Sequence, residues 1–570
     1  MGRRLGLAAS LAGMRVLFVA LLVFFFGQLP LGAQGAAAQE AVEKYSHWLQ
    51  SYSEGKELLF RDGRRDRKAA QRFRRLFAQV AATGDLLAAK RLWQAATVEL
   101  PEELDRFQRM NAQLPAVRGE AKRLIAGIGG EDVDSWLLDK ALQRGGRNAS
   151  LARVTAIEIL GLRGSEMAGK KLLAGLGKLG LAEKIQAVLA LESCGSLEAL
   201  PELIKLLRNR EPNLRIATIS TLAGILSPHS DETKAENQGP DTPGQRLTPN
   251  LLEAFSKLLK KEKNWQVRAA VIDGVLRLRS RHSIPALIAA MKAELKRGGS
   301  KKEAGTEMLL ARIHDGLVAL TGQDLPRKLP KLWEVFWKRE GARFRFRTVK
   351  APGKKLGEAA GPKKGVSYVR YFNLDIRSKR ILFIIDFSGS MREPVSLQGR
   401  YAGMGAKQPK FELVKKELEK VIRALPRDTI CNVVFFSNEA KVWRQGKGGR
   451  PKLVEMNDSN KAALLYYVYE TAPGGSTNIY GALELALAMG ERGVYDKYYR
   501  AAYDSIFLLS DGAPSSGKIV EPDAIRAEVA KINKLRRIRI HTIVFGDESN
   551  NLSFMRKLAE ENNGRFLHVK

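Results

Sequence analysis

The chain of 570 residues is long enough for several domains and ample core. Lys and Arg outnumber Asp and Glu by 95 to 61, a formal net charge of +34, which favours anionic partners: acidic protein, acidic polysaccharide, anionic lipid or nucleic acid. The two cysteines, Cys194 and Cys431, fall in helical and strand patterns and read as small buried residues, which argues against a disulfide scaffold.

Residues 1–38 read as an export signal. Arg3, Arg4 and Arg15 carry no acidic neighbours, the apolar run Val16 to Phe26 follows, and small residues lead to Ala36-Ala37-Ala38. Cleavage after Ala38 would leave Gln39 as the mature end with no membrane span; the alternative is an uncleaved anchor, for which eleven apolar residues are short. Export without a disulfide fits a bacterial protein that is periplasmic, at the cell surface or secreted. Residues 39–129 read as a basic helical N-terminal region, most basic from Arg61 to Arg75, with no repeat.

Residues 130–338 carry an internal repeat. The pattern Leu151-Ala-Arg153-Val-Thr-Ala-Ile recurs as Leu214-Arg215-Ile-Ala-Thr-Ile and as Val267-Arg268-Ala-Ala-Val-Ile, with Lys184 in the Arg position of a weaker copy. Arg153, Lys184 and Arg215 are spaced 31 residues apart, which is the period of a solenoid of helix pairs. This pattern resembles HEAT-like repeats, and the resemblance implies that the arginines brace neighbouring helices. Residues 227–249 read as a polar insertion on one edge of the array. Trp333 and Trp337 read as packing in the closing helix. Residues 339–375 read as a basic linker, in which Arg343-Phe-Arg-Phe-Arg347 alternates as a half-buried strand does, a reading preferred over a strip that stacks nucleic-acid bases.

From residue 376 onward, strands alternate with helices, the signature of an α/β doubly wound sheet. Ile381-Leu-Phe-Ile-Ile is a buried-strand pattern that ends in Asp386-Phe-Ser388-Gly-Ser390. Alternate residues of an extended segment point the same way, so the carboxylate and both hydroxyls can converge. An all-oxygen set of this kind suits Mg²⁺ or a similar hard cation rather than zinc or copper. Two further segments end in the same chemistry: Pro473-Gly-Gly-Ser-Thr477-Asn, which opens a helix, and the strand Ser505 to Ser510 followed by Asp511-Gly512. Helices are expected over Pro409 to Leu425, Ala524 to Leu535 and Leu552 to Glu561. Strands are expected over Asp428 to Phe436, Lys441 to Trp443, Ile538 to Phe545 and Arg565 to Val569.

With the three motifs in this order, residues 376–570 resemble a von Willebrand factor A (VWA) domain with a metal-ion-dependent adhesion site. The resemblance implies a metal site made of Asp386, Ser388, Ser390, Thr477 and Asp511. It also implies that the serines and the threonine ligate Mg²⁺ (or Mn²⁺ or Ca²⁺) directly, while the acids act through water. In integrin-type VWA domains a helix beyond the last strand switches affinity. This sequence ends at Lys570 after that strand, so a static site is expected.

Enzymatic signatures are not found. The six histidines show no metal-ligand spacing, no G-x-S-x-G elbow surrounds a serine, and the glycines and lysines of 357–364 lack P-loop spacing. Ser388 has no adjacent base in sequence to activate it. The expected function is therefore a non-enzymatic, exported binding, adhesion or scaffold protein. It would capture a partner's Asp or Glu, or another anionic ligand, through the cation, with an anionic polymer as a further partner of the basic surface. The alternative comes from a second resemblance: helical repeats joined to a VWA domain are similar in architecture to the Ro ribonucleoprotein family, which implies RNA binding. The export signal makes nucleic acid the less favoured partner.

Overall fold

The structure, a computed structural model, describes residues 31–61, 64–143, 149–234, 242–297, 305–346, 369–395, 408–488, 502–546 and 549–569. They form two compact units that divide between Leu179 and Gly180, inside the stretch expected to be one array. Most of the expected export signal, residues 1–30, lies outside the described residues, and Ala36 to Ala38 fall within the first helix. Among the described residues no helix is long and apolar enough to cross a membrane.

The first unit is helical. Helices α1 (Leu31–Ser53) and α2 (Arg67–Ala81) share an aromatic core in which Trp48 stacks on Tyr52 at 5.0 Å and meets Phe77 edge-on at 5.4 Å. Asp66 caps α2 by accepting the Lys68 and Ala69 N–H groups. With Phe73, Leu76 and Phe77 turned inward, Lys68, Arg72, Arg74 and Arg75 are left exposed, so much of the basic density of this region lies on an outer helical face. Helices α3 (Leu86–Ala96), α4 (Leu114–Gly127), α5 (Glu131–Leu142), α6 (Ala149–Arg163) and α7 (Glu166–Gly175) follow. The buried Arg163 pairs with Asp134 and donates to the Gly130 carbonyl, and Arg153 donates to the Gln143 carbonyl at 3.2 Å.

The second unit opens with α8 (Leu181–Cys194), α9 (Leu200–Leu206), α10 (Pro212–Ser230), α11 (Pro243–Lys261), α12 (Trp265–Leu278), α13 (Ser283–Arg297), α14 (Thr306–Thr321) and α15 (Pro330–Glu340). Two of the repeat arginines brace helices. Arg215 pairs with Glu262 at 2.9 Å, and Arg268 pairs with Glu294 at 2.9 Å with both side chains wholly buried. The polar insertion is shorter than expected. Helix α10 continues through Ser230, and α11 begins at Pro243, a first-turn position where a missing N–H costs nothing, with Thr242 as its cap. Only 231–242 lie between them, and 235–241 fall outside the described residues. Trp333 is fully buried in α15. Residues 343–346 of the alternating segment are not a strand. Phe344 packs on Trp337 and Phe346 (5.4 and 5.1 Å) and Arg347 lies outside the described residues, so aromatic contacts replace the expected sheet pairing.

A mixed, mostly parallel sheet follows. After a short hairpin, β1 (Arg370–Tyr371) and β2 (Leu374–Asp375), come β3 (Arg380–Asp386), β4 (Ile430–Phe436), β5 (Ala440–Val442), β6 (Val454–Glu455), β7 (Ser505–Ser510), β8 (Arg539–Phe545) and β9 (Phe566–Val569). The order is β6-β4-β3-β7-β8-β9, with β5 and β6 antiparallel to β4 and the rest parallel. Its strands are almost wholly buried, as expected where both faces are covered. One face carries Phe383, Ile385, Phe435 and Phe507 and packs with α16 (Lys410–Ala424) and α17 (Asp458–Glu470). Tyr371, Phe372 and Leu374 join this core, so the sheet domain begins upstream of residue 376. Helices α18 (Ile479–Leu487), α19 (Pro522–Arg536) and α20 (Ser549–Glu561) complete the domain.

The helical repeats of this unit grip the sheet domain at the amino-terminal edge of its strands. Asp315 in α14 accepts from Arg377 at 2.7 Å and from Arg539 and Arg565 at 3.3 Å. Burial would raise the Asp315 carboxyl, but His314 and the three arginines hold it far below the usual carboxylate range. Asp273 in α12 receives Arg312 and Arg537, Glu192 receives Lys534, and Gln266 donates to the Arg536 carbonyl. Helix α10 packs against α8, α11, α12 and α19, which explains why its buried residues run almost unbroken from Leu214 to Leu226. Part of the repeat surface is thus covered by the chain's own sheet domain.

Candidate metal centre

The opposite, carboxyl-terminal edge of the sheet is the edge where ligands bind in open α/β folds. Strand register creates the centre of the site. Ile385 pairs with Leu509, so Asp386 and Ser510, the next residues along, stand side by side. The Ser510 hydroxyl donates to Asp386 Oδ2 at 2.6 Å, and the Ser388 N–H donates to Oδ1 at 2.8 Å. Both carboxylate oxygens are therefore occupied within the fold. Asp386 is completely buried, and this burial pushes its carboxyl up to about 6 despite the two serine donors, with the charge of Asp511 adding to the rise.

A hydrogen-bonded chain leads outward from this carboxylate. Ser388 Oγ and Ser390 Oγ are 3.1 Å apart, and the Ser390 hydroxyl donates to Asp511 Oδ1 at 2.9 Å. Thr477 approaches from the glycine-rich loop. A Cβ placed on Gly512 would stand 3.8 Å from Thr477 Oγ1 and 4.0 Å from Ser390 Oγ, so both hydroxyls border the same small space. The five residues expected from sequence are thus gathered at one place, four through hydrogen bonds and Thr477 across that space.

Three loops are tied together to achieve this. The Gly389 N–H donates to the Gly475 carbonyl and the Gly474 N–H to the Phe387 carbonyl. Ser515 and Thr477 exchange hydrogen bonds, N–H to carbonyl at 3.0 Å and N–H to hydroxyl at 2.9 Å. Gly475 has φ of 85°, and a Cβ there would lie 2.9 Å from Asn438 Oδ1, so only glycine fits without strain.

The sequence motifs do not assign several participants. Ser510 ends the strand motif that precedes Asp511, but its bond to Asp386 follows only from strand register. Lys410, at the start of α16, donates to Asp511 Oδ2 and to Glu393 Oε2, each at 2.8 Å. Burial acts to lower its ammonium, but Asp511 and Glu393 outweigh that and hold it above the usual lysine range. Neither Lys410 nor Glu393 belongs to a local pattern that would single it out. Among the described residues no group of three or more His, Cys, Asp and Glu side chains is placed to hold a metal. The donors gathered here are mainly hydroxyls, the chemistry of a hard cation such as Mg²⁺ and not of zinc or copper.

Residues 381–570 match the family model of the von Willebrand factor type A domain. The same third of the chain is similar to the mouse (Mus musculus) inter alpha-trypsin inhibitor, heavy chain 4. The two are 29% identical over 202 residues, which is 35% of this chain and 19% of that protein. It is also similar to pig (Sus scrofa) inter-alpha-trypsin inhibitor heavy chain H1, at 26% identity over 199 residues, again 35% and 19%. The match spans about a fifth of the length of these relatives. Among solved structures, a von Willebrand factor type A protein from Catenulispora acidiphila aligns at 19% identity and a TM-score of 0.24, covering 33% of this chain and 38% of that one. The PilB minor pilin from Streptococcus sanguinis aligns at 15% identity and a TM-score of 0.23, covering 35% and 58%. With the family model on 381–570, the layout of the chain is a helical-repeat region followed by a VWA domain.

Proposed function

We propose that this protein is an exported, non-enzymatic binding protein that captures an acidic group of a protein partner through a divalent cation. Ser388, Ser390 and Thr477 would ligate Mg²⁺, or Mn²⁺ or Ca²⁺ in its place. Asp386 and Asp511 would act from behind through water. The observation that carries this reading is the convergence of Asp386, Ser388, Ser390, Thr477 and Asp511 at the carboxyl edge of the sheet. When bound, the cation supplies a Lewis-acidic position for an anionic oxygen. With two carboxylates as its only acids, the set leaves the ion electrophilic toward such a group.

Adhesive use is favoured over hydrolysis. Ser388 Oγ lies against Ser390 Oγ, a second hydroxyl and not an imidazole or amine that could draw off a proton. Similarity of this domain to inter-alpha-trypsin inhibitor heavy chains is consistent with a protein-interaction role. In the proposed division, residues 1–38 direct export to the periplasm, cell surface or exterior, 39–129 and 130–338 are the helical regions, 339–375 link onward except for the hairpin Arg370–Asp375 that joins the sheet core, and the VWA domain holds the partner.

The test is calorimetric titration of the EDTA-stripped full chain with Mg²⁺ and Mn²⁺, followed by capture of acidic protein ligands with and without EDTA. Saturable binding of one cation per chain, together with EDTA-sensitive capture, is expected. Absence of cation binding at millimolar concentration would remove the proposal.

A further inference from the structure

Lys410 is a site feature that the metal reading does not use. Its side chain is only 12% exposed, and its ammonium joins two carboxylates, Asp511 Oδ2 and Glu393 Oε2, each at 2.8 Å. Asp511 offers its other oxygen to Ser390, so one carboxylate is shared between the hydroxyl cluster and the lysine. The lysine is also held in place by its backbone. Its N–H donates to the Glu393 carbonyl at 3.0 Å, and Pro394 pairs with Pro409 immediately before it. Beside it, Arg392 donates to the Pro473 carbonyl at 2.6 and 3.0 Å, which fixes the loop that carries Thr477. Lys410 is therefore a built-in positive charge at the site and not a solvated surface lysine.

We infer that Lys410 is a tethered counter-cation that weakens divalent-cation binding and strengthens capture of an anionic ligand once the cation is bound. The inference rests on the metal-binding reading above. With Lys410 present, Asp386 and Asp511 leave the empty site one net negative charge. A divalent cation turns this into one net positive charge, which an incoming carboxylate neutralises. Without Lys410 the empty site carries two negative charges and draws the cation more strongly, but the loaded site is neutral and attracts the carboxylate less. The effect is large because the ammonium and Asp511 are both shielded from water, where charges act over short distances at reduced screening. Glu393 lies outside this count because it is exposed and is common to the protein with and without Lys410, so it does not change the difference between them.

The experiment compares the EDTA-stripped full chain with Lys410→Met, Lys410→Gln and Lys410→Arg by calorimetric titration with Mn²⁺. The Mn²⁺-loaded forms are then titrated with acetate. Lys410→Gln keeps a hydrogen-bond donor for Asp511 and serves if the methionine variant does not fold. Expected are Mn²⁺ affinities about tenfold or more tighter for the methionine and glutamine variants, wild-type affinity for the arginine variant, and acetate binding several-fold weaker in the neutral variants. Mn²⁺ affinity that is unchanged on removing the charge, with the wild type binding Mn²⁺, overturns the role of Lys410 and leaves the metal reading standing. No Mn²⁺ binding by any of the four proteins overturns both.

Discussion

Replacing Asp386 by asparagine separates the two demands on this carboxylate, since the fold favours it neutral and a metal needs it charged. Its folded value of about 6 lies above the ordinary 3.8 because burial penalises the ionised form. The sign follows from linkage. A carboxyl raised by folding costs stability where it is ionised, above about pH 6, and that cost fades as pH falls through 6 toward 4. A rise of about two pKa units corresponds to about 3 kcal/mol at neutral pH. The asparagine would keep an oxygen for the Ser388 N–H and present an amide to Ser510, whose hydroxyl also has the Gly512 carbonyl as acceptor at 3.1 Å. In EDTA at pH 7.5, Asp386→Asn should therefore be as stable as the wild type or more stable, by up to about 3 kcal/mol. The difference should shrink to nothing near pH 4. Urea denaturation followed by circular dichroism across this pH range reads the difference, and comparison with the wild type cancels every other titrating group. Adding Mg²⁺ should raise the wild-type midpoint and leave that of the variant unmoved. A variant that unfolds more readily at pH 7.5, or that still gains stability from Mg²⁺, would refute the reasoning.

The remaining expectations concern the frame around the site. Asp315→Ala strands Arg377, Arg539 and Arg565 at the base of the sheet and should cost about 2 to 3 kcal/mol, seen as a lower urea midpoint with Mn²⁺ affinity little changed. Removing one member of the wholly buried Arg268–Glu294 pair, as in Glu294→Ala, should cost about 3 to 5 kcal/mol, whereas the double change to Met and Leu should restore most of it in a double-mutant cycle. Gly475→Ala forces a side chain into left-handed backbone against Asn438. It should lower stability by about 1 to 2 kcal/mol and weaken Mn²⁺ binding, measured by the same titrations.

The strands and helices of the VWA domain follow closely from hydrophobic period, because a strand buried on both faces and a helix buried on one leave different spacings of apolar residues. The expected strand from Asp428 to Phe436 is observed as Ile430–Phe436, and the expected helix from Pro409 to Leu425 as Lys410–Ala424. Where short polar or mixed segments were involved, neighbours decided. Proline and polar residues around 227–249 read as a loop, yet helix ends capped by Thr242 and started by Pro243 absorb much of it. The alternation around Phe344 and Phe346 reads as a strand, but the rings pack on Trp337 and on each other. Tyr371, Phe372 and Leu374 sit next to a basic linker in sequence and in the sheet core in space.

Sequence alone determined the class of the chain and the donor types: a D-x-S-x-S strand end, a glycine-rich loop with Thr477, and a strand that ends at Asp511 are local patterns. Tertiary structure decided what surrounds them. Ser510 meets Asp386 because parallel strands align in one register, and Lys410 meets Asp511 across 101 positions of chain because α16 begins where the loops converge. The repeats hold the sheet by its amino-terminal edge through Asp315, Asp273 and Glu192, which no spacing along the chain encodes. Charge placement across such distances arises only when separate elements are packed together, because no local pattern of residues fixes which charges will meet.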